Sequence, residues 1–302
     1  MHRLSSSQAH GAFRPDIAPA LRIQPGETVT FETTSAPVER LFAAGERWLE
    51  TLDVAAVNVV TGPVFIEGVL PGDTVSVEIL DVTPGPWGWS SSIPGFGPLS
   101  KHLPAPTLDR LPIVDGWIVL SGRLRVPVRP MIGCLGLAPG SGESSTLAPP
   151  YPWGGNYDLI QNRPGATLLL PAQVPGGLFS LGDLHAAMGD NEATSVSIEC
   201  PGEATVRLGI REGLRLVTPR IEHPDRILTI GLRPKDHFLA AREDALDRMW
   251  EFLTGEAGCT GDEAYRLCSS VVDVHLGGPA GMVVLASIER RWLPEHATLI
   301  DD

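Results

Sequence analysis

The chain has 302 residues, of which 43% are hydrophobic and 20% are charged, and its formal net charge is −13. A chain of this length can bury a substantial core, as one large domain or two smaller ones. The acidic balance argues against nucleic acid and anionic membrane surfaces as partners and favours a neutral or cationic small substrate. No apolar run approaches the roughly 18 residues of a membrane-spanning helix, so we expect a soluble globular protein.

The N-terminus and the cysteines indicate the compartment. The first residues, "MHRLSSSQAHGAFRPD", contain no apolar segment typical of a secretory signal. The cysteines form no CxxC pair, which is typical of reduced, buried thiols; they are Cys134, Cys200, Cys259 and Cys268. The sequence therefore predicts a cytoplasmic protein.

Short β-type runs fill the chain as far as residue 233. Glycine and proline recur between these runs, with 33 and 28 copies in the whole chain. Short alternating strands separated by turn residues predict a mainly β protein with a β-sandwich or barrel-like body. The predicted strands are "ETVTFET", "NVVTGPVFIEGV", "DTVSVEIL", "GWIVLSGRLRVPV", "ATLLLPAQV", "TSVSIE", "ATVRLGI" and "RILTIGL".

Two segments rich in proline, glycine and aromatic residues interrupt this pattern. They are residues 84–102, "PGPWGWSSSIPGFGPLSKH", and residues 148–158, "APPYPWGGNYD". We interpret both as stiff loops. Their aromatic rings either form the wall of a pocket or cover a sheet edge, and the sequence leaves both interpretations open.

The pattern changes after residue 233. The segment "KDHFLAAREDALDRMWEFLTGE" predicts a helix with an apolar stripe from Phe238 to Phe252 and an end near Gly255. "TGDEAYRLCSSV" predicts a shorter helix capped by Thr260, and "VVDVHL" and "GMVVLASIE" return to strand. We therefore predict a β-rich body over residues 1–233, which carries the site, and a small α+β portion over residues 234–302, packed on that body.

Acidic residues and a histidine are concentrated in residues 180–199, "SLGDLHAAMGDNEATSVSIE". In an extended chain Asp183 and His185 share a face, as do Asp190 and Glu192. An imidazole beside carboxylates suits a mixed nitrogen and oxygen metal site, and it equally suits an acid–base pair. The spacing matches no specific metal motif, so a solvated loop is a third interpretation. Asp158 is either a distant ligand or the residue that closes an Asx turn.

Nucleophile-based chemistry has less support. No G-x-S-x-G elbow occurs, and "GCLGLAPG" around Cys134 does not have the context of a dinucleotide-binding turn.

Several segments follow, in the same order, the motifs of one known family. "GDLHAAMGDNEATSVSIE" resembles the G-D-x-H-A-x-Q-G-D-G-E…E segment of the acetamidase/formamidase family. The resemblance extends over nearly the whole chain. The other matching segments are "HGAFRPDIAP", "TGPVFIEGVLPGD", "MIGCLGLAP", "GGNYD" and "AYRLCSSVVDVHLGG".

The resemblance implies a mostly β architecture, a divalent metal, and hydrolysis of short linear amides to a carboxylate and ammonia. On this basis we predict that Asp183, His185 and Asp158 hold the metal, with zinc as the expected ion and calcium as the alternative. Glu192 is the predicted general base, and Asp190 is the catalytic residue that orients a ligand or Glu192. The predicted substrate contacts are Asn156, Trp89, Met188 and Glu199.

Two departures from the family pattern affect these predictions. Met188 stands where the family has Gln, and Asn191 stands where it has Gly. A different amide or an altered activity is therefore an open alternative.

Two further functions stay open at this point. One is a non-catalytic, metal-stabilised β-sandwich that binds a small ligand or a partner chain. The other is a hydrolase of cyclic amides or of another C–N bond on the same scaffold. Because a β body presents sheet edges, we also expect a homo-oligomer.

Overall fold

The computed structural model describes residues 1–233 and 237–294, and strands form most of its regular structure. The strands of the first half are β1 (His2–Leu4), β2 (Ala9–His10), β3 (Ala12–Phe13), β4 (Leu21–Ile23), β5 (Thr28–Glu32), β6 (Val60–Ile66), β7 (Thr74–Pro84), β8 (Trp87–Ser92), β9 (Thr107–Val114), β10 (Trp117–Ser121), β11 (Leu124–Pro127), β12 (Met131–Gly136) and β13 (Ser144–Ser145). Those that follow are β14 (Gly154–Asn156), β15 (Thr167–Pro171), β16 (Phe179–Ala187), β17 (Ile198–Cys200), β18 (Gly202–Ile210), β19 (Arg220–Glu222), β20 (Arg226–Arg233), β21 (Asp273–Leu276) and β22 (Met282–Glu289). The α-helices are α1 (Ala36–Ala44), α2 (Val54–Val57), α3 (Phe238–Glu251) and α4 (Gly261–Ser270).

Two large sheets pack against each other. One has nine strands in the order β1-β5-β18-β7-β15-β19-β20-β22-β21. The other has eleven, with the path β11-β10-β9-β8-β17-β16-β12-β14, and β6 joins β16 and carries β2 and β4. A continuous apolar cluster contains side chains of both sheets, and across it the rings of Phe31 and Phe179 meet edge to face with centroids 5.8 Å apart. The predicted mainly β, sandwich-like fold class is confirmed.

The strands form where the sequence alternates or is continuously apolar. In β7, Val75, Val77 and Ile79 are buried while Ser76 and Glu78 are partly exposed, as a half-buried strand requires. β12 is buried along its whole length, and β16 is buried except at Asp183 and Ala187. These two neighbouring strands therefore lie in the interior, where any polar side chain needs a partner.

The first aromatic segment is not a loop throughout. Residues Trp87–Ser92 form β8, which pairs with β9 over its whole length, from Trp87 opposite Pro112 to Ser92 opposite Thr107. The reason for the difference is tertiary, because a Gly/Pro-rich segment becomes a strand when a partner strand supplies the hydrogen bonds. In the second segment only Gly154–Asn156 is a strand.

A helical excursion between β5 and β6 was not predicted. It consists of α1, a 3₁₀ segment at Gly45–Thr51, and α2. Its buried side chains Val38, Leu41 and Trp48 form a small apolar cluster that is separate from the main core, and Trp87 and Trp89 of β8 pack against it. Its sequence cues were Pro37 and Glu39 in the first turn of α1 and the apolar pair at positions 38 and 41.

The C-terminal portion matches much of its prediction. Ala241, Ala245 and Met249 are buried along α3, but Phe238 is 38% exposed and lies outside the stripe. A π-helical segment continues α3 over Phe252–Glu256, so the helical structure ends within one residue of Gly255, as predicted. Thr260 caps α4 as expected, in a reciprocal capping box with Glu263.

The C-terminal strands extend the nine-stranded sheet. β22 pairs with β20 over eight residues, and β21 pairs with β22 at the sheet edge. The predicted boundary falls at residues 234–236, which lie outside the described residues, as do residues 295–302. The division into 1–233 and 234–302 therefore stays a prediction.

The four thiols are buried or partly buried. Cys134, Cys200 and Cys259 are buried and free, and Cys268 is partly buried. Of the helices in residues 1–233 and 237–294, none is long and apolar enough to cross a membrane. Self-association stays a prediction.

Candidate active site

The site is built on adjacent strands of the eleven-stranded sheet. β16 carries Asp183 and His185, and β17 places Glu199 directly opposite His185. On the other side of β16 lies β12, whose Gly133 falls between register pairs that bring it opposite Asp183. β14 follows as the next strand, and Asp158 lies two residues beyond its end at Asn156. Sheet register thus brings together residues that are up to about forty positions apart in the sequence.

His185 lies at the centre of a cluster of carboxylates. Its Nε2 atom is 3.1 Å from Glu199 Oε2, 3.5 Å from Asp183 Oδ1 and 3.7 Å from Asp158 Oδ1. His185 is 1% exposed and Asp158 is 2% exposed. Two overlapping groups have ligand atoms within 4.8 Å of one another, one formed by Asp158, Asp183 and His185 and the other by His185, Glu192 and Glu199.

Asp158 is held in place from several sides. Its backbone is in the left-handed region at φ 45°, and its N–H donates to the carbonyl of Gly133 at 3.2 Å. Asn156 Nδ2 donates to Asp158 Oδ2 at 3.0 Å. The other carboxylate oxygen, Oδ1, is buried and has no hydrogen-bond partner among the described residues. This buried oxygen is therefore free to accept from, or to coordinate, a group that the described side chains do not supply.

An asparagine outside the predicted set connects the two aspartates. Asn58 Nδ2 lies 3.3 Å from Asp183 Oδ2 and 3.1 Å from Asn156 Oδ1, so a chain of amides runs from one carboxylate to the other. Asn58 Oδ1 is buried without a partner in the described part of the chain. The sequence offered little indication of this role, since Asn58 sits in a predicted strand and outside the recognised motifs.

The second acidic pair does not have the extended geometry that was considered for it. Asp190–Glu192 form a 3₁₀ turn with positive φ at Asn191 and Glu192, so the two carboxylates do not share a face. Glu192 is 7% exposed and joins the cluster. Asp190 lies outside it, with its half-exposed carboxylate 3.9 Å from His275 Nδ1. The structure therefore does not bring Asp190 to the position expected for orienting a ligand or Glu192.

The far side of the imidazole faces two polar atoms. His185 Nδ1 is 2.7 Å from the hydroxyl of Ser197 and 3.2 Å from the sulfur of Met188. Ser197 was missed by the sequence analysis because an isolated serine in a strand carries no recognisable spacing. Met188, a predicted substrate contact, thus touches the back of the histidine.

Burial and mutual repulsion shift the pKa values of the acids in the cluster. Burial, with repulsion from Asp183, raises the pKa of Asp158 to about 8. Burial, with repulsion from Asp158, raises the pKa of Glu192 to about 9, and burial also raises the pKa of Glu199. For His185 burial acts in the opposite direction, but attraction to Glu199 and Asp183 outweighs it and raises the pKa well above 6.5.

Asp183 is the exception among the carboxylates. Burial raises its pKa, but attraction to His185 and hydrogen bonds to neighbouring side chains outweigh burial and lower it below its usual value.

The residues present fit a divalent cation. Three buried carboxylates and the partly buried Asp183 face one imidazole, and no Lys or Arg in the described ranges forms an ion pair with them. Gly133 leaves room among the ligand atoms. A Cβ there would lie 2.6 Å from Asp183 Oδ2, 2.7 Å from Asp158 Oδ1 and 2.9 Å from His185 Nε2. A cation in this position would satisfy Asp158 Oδ1 and offset the excess negative charge.

A small cavity of about 40 Å³ adjoins the cluster. Its wall includes Asn58, Asp183 and Glu199, together with Trp89 of β8 and Val38 of α1. The helical excursion and β8 therefore form the side of the cavity that faces Asp183 and Glu199. Of the predicted substrate contacts, Trp89 and Glu199 are part of this wall, whereas Asn156 is not. Asn156 instead donates to Asp158.

The other aromatic residues lie farther from the cavity. Trp87 packs edge to face on Phe42, Phe96 is 50% exposed, and Trp153 stacks on Tyr151. None of these three rings belongs to the wall of this cavity.

Comparison with known proteins identifies the family. The model of the acetamidase/formamidase family matches residues 2–144 and 141–287. The chain belongs to this family. The recognition from ordered sequence motifs is thereby confirmed.

Solved structures of this family superpose closely on the chain. An acetamidase from Bacillus halodurans is 31% identical, with a TM-score of 0.88 over 98% of this chain and all of that one. A predicted acetamidase/formamidase from Thermoanaerobacter tengcongensis is 26% identical, with a TM-score of 0.90 over 98% of this chain and 97% of that one. Among curated proteins, a formamidase from Methylophilus methylotrophus is 25% identical over 69% of this chain, and the match spans 65% of that relative's length.

The family pattern also explains one of the departures. Asn191 has a φ of 68°, a conformation that glycine adopts freely and asparagine tolerates better than most residues. Its Nδ2 donates to the carbonyl of Gly277 at 2.7 Å, so this member of the acetamidase/formamidase family ties the acidic turn to the loop that precedes β22. The substitution of Gly by Asn therefore conserves the backbone and adds a hydrogen bond.

A side chain at Gly133 should prevent metal binding, because it would fill the space among the ligand atoms (the cradle). We expect Gly133→Ala to reduce the bound divalent metal to less than about one tenth of the wild-type content, because the new methyl group displaces three ligand atoms. Elemental analysis of the purified protein measures this. Gly189→Ala is the matched control, since a Cβ at Gly189 meets no atom within 4 Å. Equal metal content in both variants would contradict the proposed position of the ion.

Two substitutions separate the backbone role of Asn191 from its hydrogen bond. Asn191→Gly loses the hydrogen bond to Gly277 but keeps the left-handed backbone, whereas Asn191→Ala loses both. We expect the free energy of unfolding of the alanine variant to be about 1 kcal/mol lower than that of the glycine variant, because alanine is strained in the left-handed conformation. Urea denaturation measures the difference, and equal stability of the two variants would refute the argument from φ.

Proposed function

We propose that this protein hydrolyses short linear amides, such as formamide and acetamide, to a carboxylate and ammonia with the help of a divalent metal. The observation that carries the proposal is the junction of a buried carboxylate–histidine cluster with a very small cavity, in a chain of the acetamidase/formamidase family. Its curated relatives include proteins named formamidase and acetamidase.

The size of the cavity favours short substrates. A water molecule requires roughly 10–15 Å³ of such space, so a cavity of about 40 Å³ holds about three waters. Formamide and acetamide are of this size, whereas a longer acyl chain would collide with Trp89 or Val38. The alternative of a hydrolase for larger or cyclic amides would require this wall to move.

The donor set favours zinc. Zinc accepts imidazole nitrogen and carboxylate oxygen as ligands in one site of four donors, whereas calcium takes six to eight oxygens. Asp158, Asp183 and His185 would hold the ion, because their ligand atoms surround the cradle at Gly133. When bound, such an ion polarises a carbonyl group and lowers the pKa of a water ligand towards ~7.

The side chains of this protein supply the rest of the chemistry. Glu192 takes the proton of the attacking water and delivers it to the leaving nitrogen, so that the C–N bond breaks as ammonia forms. Burial raises the pKa of Glu192 to about 9 in the metal-free protein, so a bound cation would be needed to keep this carboxylate ionised and able to accept the proton. Asn58 and Trp89 orient the amide in the cavity, and the helical excursion excludes bulk water.

Ammonia release tests the proposal directly. We expect the protein to release ammonia from formamide and acetamide, to lose at least about 90% of this activity after chelation, and to regain it with zinc. The panel includes a longer linear amide and a cyclic amide, both of which should react poorly because of the small cavity. Bound metal without ammonia from any amide would instead favour a non-catalytic, metal-stabilised sandwich.

Glu192→Gln separates two roles of that residue. If Glu192 is the general base, the variant keeps its metal and loses activity by about 10²-fold or more. If the group formed by His185, Glu192 and Glu199 holds the ion, the same variant loses the metal itself. Full activity of the variant would remove Glu192 from both roles.

The metal-free protein should lose stability as the pH rises. The pKa values of Asp158 and Glu192 are raised to about 8 and about 9 in the folded state, so between pH 6 and 9 the folded chain binds more protons than the unfolded chain. Each such group lowers the free energy of unfolding by up to about 1.4 kcal/mol per pH unit. A bound cation holds these carboxylates ionised and removes this cost.

Thermal unfolding of chelated and zinc-loaded protein checks this expectation. The gap in Tm between the two forms should widen from pH 6 to pH 9. A gap that is constant or narrows with rising pH would show that these carboxylates do not hold the ion.

A further inference from the structure

The hydrogen-bonding groups behind His185 determine which ring nitrogen faces the carboxylates. Its Nδ1 atom has two neighbours, the Ser197 hydroxyl at 2.7 Å and the Met188 sulfur at 3.2 Å. Its Nε2 atom points to the opposite side, where Asp158, Asp183 and Glu199 lie. The protonation of the ring therefore depends on whether the two groups behind it donate or accept.

Both groups behind the ring can accept a hydrogen bond, and a thioether sulfur can only accept. The hydroxyl of Ser197 can donate its single hydrogen to Glu199 Oε1 at 3.3 Å, an oxygen that also accepts from the backbone N–H of Ser197, and its own oxygen can then accept from the ring. Because the sulfur at 3.2 Å needs a donor, the proton of the neutral ring is assigned to Nδ1 and its lone pair to Nε2.

We propose that Ser197 is the positioning residue for His185, and that together with Met188 it holds the ring in the one tautomer that presents Nε2 to a metal. Ser197 also connects the two sides of the His185 ring through Glu199. Glu199 Oε1 lies 3.3 Å from the Ser197 hydroxyl, and Glu199 Oε2 lies 3.1 Å from His185 Nε2. Histidine ligands are usually oriented in this way by a partner on the second nitrogen, here a hydroxyl and a thioether. The inference rests on the proposed metal site but not on the identity of the substrate.

Zinc affinity tests the role without measuring catalysis. We expect Ser197→Ala to weaken zinc binding by about 10- to 100-fold, as measured by competition with a chromophoric chelator. Ser197→Thr keeps the hydroxyl and should stay within about threefold of wild type. Met188→Leu retains the volume and removes the weaker acceptor, so its effect should be smaller than that of Ser197→Ala. Ser270→Ala is the control, because its hydroxyl donates to the carbonyl of Arg266 on the exposed side of α4.

A measurement on the wild-type protein keeps the proposal testable if a variant does not fold. Nitrogen-15 NMR of zinc-loaded protein labelled at histidine should show the His185 ring with its proton on Nδ1. A proton on Nε2, or an unchanged zinc affinity in folded Ser197→Ala, overturns the inference. Either result leaves the proposed amide hydrolysis standing if wild-type protein releases ammonia. Conversely, zinc affinities that change as expected in a protein that releases no ammonia would support the inference and refute the proposed function.

Discussion

Four carboxylates, three of them buried and one partly buried, surround one imidazole and impose the constraint on which the rest of this structure depends. Ionised groups removed from water are costly unless charge or hydrogen bonds compensate them, and here a single histidine faces Asp158, Asp183, Glu192 and Glu199. The raised pKa values of Asp158 and Glu192 express this imbalance. Such a cluster favours cation binding, because a cation would compensate negative charge that no Lys or Arg of the described residues compensates.

The fold meets this constraint by assigning separate tasks to its parts. The interior strands β16 and β17 carry Asp183, His185 and Glu199, and Gly133 of β12 lies beside them, because register in a fully paired sheet places side chains more accurately than a loop does. The helical excursion and β8 cover the acids and leave a small cavity. The loop before β22 braces the acidic turn through Gly277, so the C-terminal portion contributes to the site without supplying a ligand.

Asparagines and a serine connect the charged residues to one another. Asn58 and Asn156 bridge the two aspartates, and Ser197 joins His185 to Glu199. These neutral groups add no charge to a site that already has an excess, but they restrict the orientation of every charged one. This is how a buried ionic cluster keeps one geometry before any ion or substrate arrives.

Several features of this protein were determined by the sequence alone. Alternating strands with Gly and Pro between them were sufficient for the mainly β fold, and the order of several motifs was sufficient for the family. The grouping of Asp183, His185 and Asp158 was predicted from those motifs, whereas local spacing alone left a solvated loop and an Asx turn open. Thr260 as a helix cap followed from local capping chemistry.

Only the tertiary structure decided the remaining features. β8 became a strand because β9 and β17 offered it partners, which no local pattern records. Asp190 and Glu192 separated because a left-handed residue between them turned one carboxylate inward and the other to the surface. Asn58 and Ser197 joined the site through register and side-chain hydrogen bonds, and these contacts depend on neighbours that the linear sequence places far apart or leaves unmarked.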